Sequence, residues 1–331
     1  MNTARRFSWH SEQWRRIAAA RMAGRLPHAL LLAGAGGLGK AAFATRLSDS
    51  LVCTRPDGEG DACGVCAPCR LTRAGSHPDQ KLVVPGEPGK MIKIDAIRDL
   101  TASSVLSAQE GGYRVFVIDP AEAMNRASAN ALLKTLEEPV SRTVLILVSS
   151  HPDRLAATIR SRCQVVKFAV PPIEEVRAWL AERADPASFE ELLAISGGAP
   201  LRALQAQEEG WIEESRRLSG ELATLKQRKA NPLSIVEEWE KRPLTLLSES
   251  LKRCLSDLIK LASGLCDTTI YHPGLRGELQ SLSEGIDLQL LYGLNDVLVR
   301  LDRESAHNLN VQMKLEYIAN RWLQITRPGG R

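Results

Sequence analysis

The sequence predicts a three-layer α/β domain followed by helices alone, and three observations carry that reading. Apolar, β-branched runs without polar alternation recur through the first half, as in parallel strands covered on both faces. A glycine-rich turn joins the first run to a helical pattern. Past a Pro171-Pro172 break, no convincing strand pattern remains.

The first strand, His28–Ala33, leads through Gly34-Ala35-Gly36-Gly37-Leu38-Gly39-Lys40 into a helix expected over Lys40–Val52. Lys81–Val84 is a short strand stopped by Pro85. Arg114–Asp119 and Thr143–Val148 are the strongest strands, and Gln164–Phe168 is a fifth. Between the strong pair a helix runs from Arg126 to about Glu138, with Asn125 as N-cap and Pro139 as stop. Residues 1–168 are expected to form this α/β domain. Residues 169–207 read as a small helical unit with helices near Ile173–Glu182, Ser188–Ile195 and from Pro200. Residues 208–331 read as an all-helical C-terminal domain with turns at Asn231-Pro232, Arg242-Pro243 and His272-Pro273. In its last helix Leu315, Ile318, Trp322 and Ile325 share one face, a stripe that serves as core or as subunit interface.

Composition narrows the function. A chain of 331 residues implies two or three domains. Aromatics at 5% argue against base stacking as the main activity. A net charge of +4 permits contact with a polyanion without demanding it. The N-terminal charges have no apolar region behind them and no apolar run is long enough to cross a bilayer, so a cytoplasmic protein without membrane contact is expected. There, clustered cysteines point to metal rather than to disulfides.

Gly34 to Lys40 fits GxxxxGK between strand and helix, the context in which backbone N–H groups, a helix N-terminus and a lysine converge on phosphate. The next residue, Ala41, lacks the hydroxyl that would hold Mg²⁺. Asp119, at the end of the third strand, stands where a metal-holding aspartate belongs. Cys53, Cys63, Cys66 and Cys69 lie in a stretch rich in Gly, Asp and Pro that reads as a loop. Four thiols at such spacings fit a structural Zn²⁺ with no open ligand position, whereas a redox Cys-x-x-Cys leaves two of them unexplained. Cys163, Cys254 and Cys266 stand apart and read as singly packed.

Asn130–Pro139 (NALLKTLEEP) and Ser161-Arg162-Cys163 supply the most specific signal. With the order of phosphate loop, cysteine cluster and Asp119 strand, the chain resembles bacterial clamp-loader subunits of the AAA+ class over about residues 20–206. The resemblance implies an AAA+ P-loop domain with a zinc-module insertion, a helical lid and a C-terminal collar for oligomerisation. It implies a place in the DNA polymerase III loader, which opens the sliding clamp and closes it on primed DNA. Delta and gamma/tau subunits would be the partners, and the DNA backbone would be met through the complex. Motor subunits of the family keep Lys-Thr or Lys-Ser in the loop and an Asp-Glu pair. Ala41 and Pro120 depart from both, so a stator without ATP hydrolysis is expected. The retained Gly39-Lys40 leaves ATP or ADP binding without turnover open. The resemblance also makes Arg162 an arginine finger, acting in trans on a gamma/tau site, with a surface arginine as the plainer alternative.

Other positions keep two readings. Ser149 and Ser150, and Arg202 in the lid, either sense phosphate or cap local structure. Arg5, Arg6, Arg15, Arg16, Arg21 and Arg25 form a solvated helical face or a DNA patch, and Lys93, Arg98 and Arg126 near helix starts are candidate phosphate contacts. Glu122 is out of register for a catalytic base. The rival functions are an active gamma-like or DNA-repair AAA+ ATPase and a freestanding zinc-dependent nucleic-acid binder.

Overall fold

The computed structural model describes residues 6–87, 89–105, 108, 112–185, 187–265, 269–303 and 311–326; Arg5 and Cys266 lie outside them. Two compact units divide the chain, Met1–Glu175 and Val176–Arg331. The second unit contains the stretch read as a collar and, from Val176 on, most of the stretch read as a lid, whose residues 169–175 fall in the first unit.

The first unit is built on a five-stranded sheet: β1 Ala29–Ala33, β2 Gln80–Val83, β3 Arg114–Ile118, β4 Thr143–Ser149 and β5 Gln164–Lys167. Every pairing is parallel, and the order is β2-β3-β4-β1-β5. Each residue of β1, β3 and β4 is buried, which explains their unbroken apolar sequences. The edge strands are more exposed, with Leu82 on β2 and Val165 on β5 open to solvent.

Helices α1 Ser11–Met22, α2 Lys40–Val52, α3 Ala67–Arg73, α4 Ile94–Ser104, α5 Arg126–Glu137 and α6 Ala157–Arg160 complete this unit. On α4 and α5, Ile97, Leu100, Leu132 and Leu136 pack with Phe116, Ile118, Leu145 and Leu147 of the sheet. Burying each such side chain stabilises by about 1.5–3 kcal/mol. Phe43, Leu47 and Leu51 of α2 are equally buried, and α2 packs on β1, β3 and β4. Asn125 caps α5 by accepting a hydrogen bond from the Ser128 N–H at 2.8 Å. Because the strands are parallel, the loops after β1, β3 and β4 open at one edge of the sheet, where α/β folds place their ligands.

The second unit is helical: α7 Ile173–Ala181, which begins just before the boundary, α8 Phe189–Ile195, α9 Pro200–Glu208 and α10 Trp211–Lys226. α11 Pro232–Glu240, α12 Leu244–Ala262, α13 Arg276–Ser283, α14 Leu288–Arg303 and α15 Val311–Ile325 follow. One core gathers Leu222, Trp239, Leu251, Leu258, Leu294 and Trp322. The α15 stripe is core: Leu315, Ile318, Trp322 and Ile325 are all buried in it, and the Trp322 indole donates to the Leu222 carbonyl at 2.9 Å.

Candidate nucleotide cleft and cysteine cluster

The phosphate loop leaves β1 and turns sharply into α2. Gly39 takes φ 86° as the N-cap of α2, a conformation costly for any residue with a Cβ. A Cβ there would also sit 2.8 Å from the Phe7 ring. Lys40 is buried, and its ammonium donates to the Ala35 carbonyl at 2.6 Å and the Ser150 hydroxyl at 3.2 Å. Burial holds that ammonium below the usual lysine range, with Glu122 and Asp119 pulling it back up.

Asp119 follows β3 directly, and its carboxyl is shifted upward by burial and by Glu122, with Lys40 opposing. Of the two serines after Leu147 and Val148, Ser149 is sealed at the end of β4 while Ser150 reaches Lys40. Glu122 accepts from the Ser150 N–H at 2.9 Å and the His151 N–H at 3.1 Å, so its carboxylate braces a loop. Loop, lysine and aspartate are together, and Ala41 and Pro120, which follow Lys40 and Asp119 in the chain, bring a methyl and a ring with no side-chain oxygen.

An unforeseen feature covers one side of this loop. The Trp9 indole donates to the Leu38 carbonyl at 3.1 Å, and the His10 Nε2 meets the same oxygen at 2.7 Å. Since a carbonyl only accepts, that ring carries its proton on Nε2. Phe7 stacks on Trp9 with ring centres 4.6 Å apart, and His10 packs edge-on against Phe43 and Phe168. All five rings are buried. Sequence reasoning passed over them; the available signal was four ring-bearing residues, Phe7, Trp9, His10 and Trp14, in a chain with only 5% aromatics.

The four clustered cysteines converge, with all four Sγ atoms within 4.8 Å of one another. Cys53 and Cys66 sulfurs are 3.9 Å apart. Tetrahedral thiolates at a Zn–S distance of about 2.3 Å would stand about 3.8 Å apart, so the donor set fits a metal ion such as zinc. The Cys63 N–H donates to Cys53 Sγ at 3.3 Å, the kind of contact that stabilises a thiolate. One expectation is corrected here: the segment is not all loop. Cys66 is the extended N-cap of α3, Pro68 occupies its first turn, and Cys69 lies inside it. Cys163 and Cys254 are buried apart, and burial pushes the Cys163 thiol up to about 11.

Arg162 sits just after α6. It donates to the Thr158 carbonyl at 2.9 Å and pairs with Glu137, the last residue of α5, at 2.6 Å. Its side chain keeps 36% of its surface exposed, so it is not locked into the fold. Arg202 is engaged inside the second unit, paired with Glu249 and stacked over Trp211. Lys93, Arg98 and Arg126 are exposed at or near the starts of α4 and α5, Arg98 pairing with Asp95. Arg15, Arg16 and Arg25 are exposed, whereas Arg6 and Arg21 turn to the cysteine module.

The second unit holds one further constellation. His272 lies 2.7 Å from Asp257 and 3.0 Å from the Ser215 hydroxyl, the distances of a nucleophilic triad. All three residues are buried, and Asp257 also accepts from the Tyr271 and His272 N–H groups. The group pins a turn and leaves no approach for a substrate.

A glycine-rich loop on this parallel sheet, with the cysteine module inserted after α2, is the arrangement that the resemblance to clamp-loader subunits implies. The family model described as "DNA polymerase III, delta subunit" matches residues 9–172. A DNA polymerase III subunit delta' from Pseudomonas aeruginosa is 36% identical, over 96% of this chain and 98% of its own length. The protein of the same name from Escherichia coli is 33% identical over 87% and 86%. A gamma/tau subunit from Mycobacterium tuberculosis is 32% identical over 57% of this chain and 33% of its own. The chain belongs to the DNA polymerase III delta' subunit family, and so to the clamp loader of the polymerase III holoenzyme.

Proposed function

We propose that this protein is the stator of the clamp loader. It does not hydrolyse ATP itself, and it lends Arg162 in trans to a neighbouring gamma/tau site. The carrying observation is the asymmetry between two sites on one domain. The protein's own cleft retains Lys40 and Asp119 but has Ala41 and Pro120 where metal and water must be held. Arg162 remains partly exposed, held by Glu137, the Thr158 carbonyl and the Ser161 hydroxyl. A planar, permanently charged guanidinium suits a phosphoryl group across an interface.

In this reading residues 169–207 form a lid and residues 208–331 a collar, through which delta and gamma/tau assemble. The cysteine cluster holds a structural zinc ion, with Cys53, Cys63, Cys66 and Cys69 as ligands. Primed DNA and the sliding clamp are reached through the assembled complex. Exposed Lys93 and Arg126 at helix starts suit backbone phosphate contacts.

Reconstitution of the loader with Arg162→Ala and with Arg162→Lys tests this. Each variant should fold and assemble, yet slow the adjacent ATPase site by about 10³-fold or more, as loss of a finger does in GTPases. Lysine should fail because it lacks the guanidinium fork. Wild-type rates with both variants would reduce the subunit to a scaffold.

A further inference from the structure

We propose that the loop Asp57–Asp61 of the cysteine module is a clasp that keeps the N-terminal segment Phe7–His10 seated on the phosphate loop, so that an intact module closes the cleft to nucleotide. This goes beyond the stator reading, and only its metal arm rests on the zinc assignment.

The path of contacts is continuous. At one end Cys53 and Cys63 anchor the loop. Asp57 shapes it, accepting from the Glu59 N–H at 3.0 Å and the Asp61 N–H at 2.8 Å. Three carboxylates of the loop then meet one guanidinium: Arg6 lies 3.4 Å from Asp57, 3.1 Å from Glu59 and 3.0 Å from Asp61. The Trp14 indole donates to the Glu59 carbonyl at 2.9 Å, and Arg21 reaches the Gly60 carbonyl at 3.4 Å. Arg46 ties the loop to α2, holding Asp61 through two hydrogen bonds of 2.6 Å while lying over the Trp14 ring.

Arg6 immediately precedes Phe7. The segment it anchors covers Leu38 and Gly39, where Phe7 fills the space beside Gly39 and Trp9 and His10 occupy the Leu38 carbonyl. An aromatic segment with few backbone ties of its own is thus pinned at Arg6 and Trp14, on either side of its rings. The acidic loop supplies both pins, and the cysteines hold the acidic loop. Nucleotide entering beside Leu38 and Gly39 meets these rings first.

Hydrogen exchange on the full chain, read with binding of a fluorescent ADP analogue, tests the clasp in two arms. In the charge arm, Arg6→Glu sets a like charge against the three carboxylates. Amide exchange in residues 7–10 and 38–40 should rise by about tenfold or more, and ADP analogue binding should appear. Adding Glu59→Arg, at an exposed side chain whose ion pair is with Arg6, should reverse part of both changes. In the metal arm, Cys63→Ser or chelation should loosen residues 57–61 and produce the same changes in 7–10 and 38–40. If residues 57–61 loosen while 7–10 and 38–40 keep wild-type exchange, the clasp is overturned. If Arg6→Glu opens the cleft but purified protein carries no metal, the clasp stands and the zinc assignment fails.

Discussion

His10 shows how much one residue can depend on its surroundings. Its ring is buried among Phe7, Trp9, Phe43 and Phe168, and burial lowers its pKa to about 4, with Arg46 adding to that and the Leu38 hydrogen bond opposing it. In the unfolded chain the same ring titrates near 6.5. Between these values the unfolded state binds a proton that the folded state refuses, so unfolding is favoured by acid. Its contribution to stability is complete above about pH 6.5 and is lost as pH falls toward 4. We expect the melting temperature of the first unit to fall over this window, and His10→Gln, which can still donate to Leu38, to flatten the fall. Equal slopes for both proteins would assign the acid sensitivity elsewhere, for instance to the carboxylates around Arg6.

At the scale of elements, legibility follows the range of the interaction. The phosphate loop and α2 are readable because glycines at fixed offsets set a local backbone, and the structure starts α2 at Lys40 and ends it at Val52, as the pattern indicates. The buried strands are readable because both faces are apolar. The aromatic cover is not: Trp9 meets Leu38 across 29 residues, and no local period marks such a contact. Helix α3 is also hidden, because Gly, Asp and Pro read as loop unless Cys66 is known to cap and Pro68 to stand in a first turn, where proline's missing N–H costs nothing. Within the site, the company of Lys40, Asp119 and Ser150 could be foreseen from strand ends, whereas the Glu137 partner of Arg162 could not. The cysteine module yields its own prediction. Elemental analysis of protein purified without added metal should find about one zinc ion per chain, the stoichiometry of a closed four-thiolate site. Cys63→Ser should lose it and should expose residues 53–66 to protease while the sheet stays folded. Four freely reactive thiols in the wild-type protein would remove the metal from the account.

The whole molecule joins two units with separate cores, and that separation determines how damage spreads. Phe116, Leu132 and Leu145 belong to one core; Trp239, Leu258 and Trp322 belong to the other. A chain so divided need not unfold in one step, since two-state behaviour is a property of single small domains. Trp322 tests the division sharply: it is fully buried and hydrogen-bonded to Leu222, and truncating a buried tryptophan costs about 3–5 kcal/mol. Calorimetry of Trp322→Ala should show the helical unit melting roughly 10 °C lower, while the α/β unit melts where it did before. The variant should keep its full zinc content, because the cysteines lie in the other unit, and in the stator reading should fail to assemble, because the collar proposed for assembly falls in this one. In the stator reading these two properties are separate: the first unit presents Arg162 to a neighbour, and the second holds that neighbour in place. A single transition that shifts as one body, with zinc lost in step, would mean that the two cores fold as one and that assembly and arginine presentation cannot be separated by mutation.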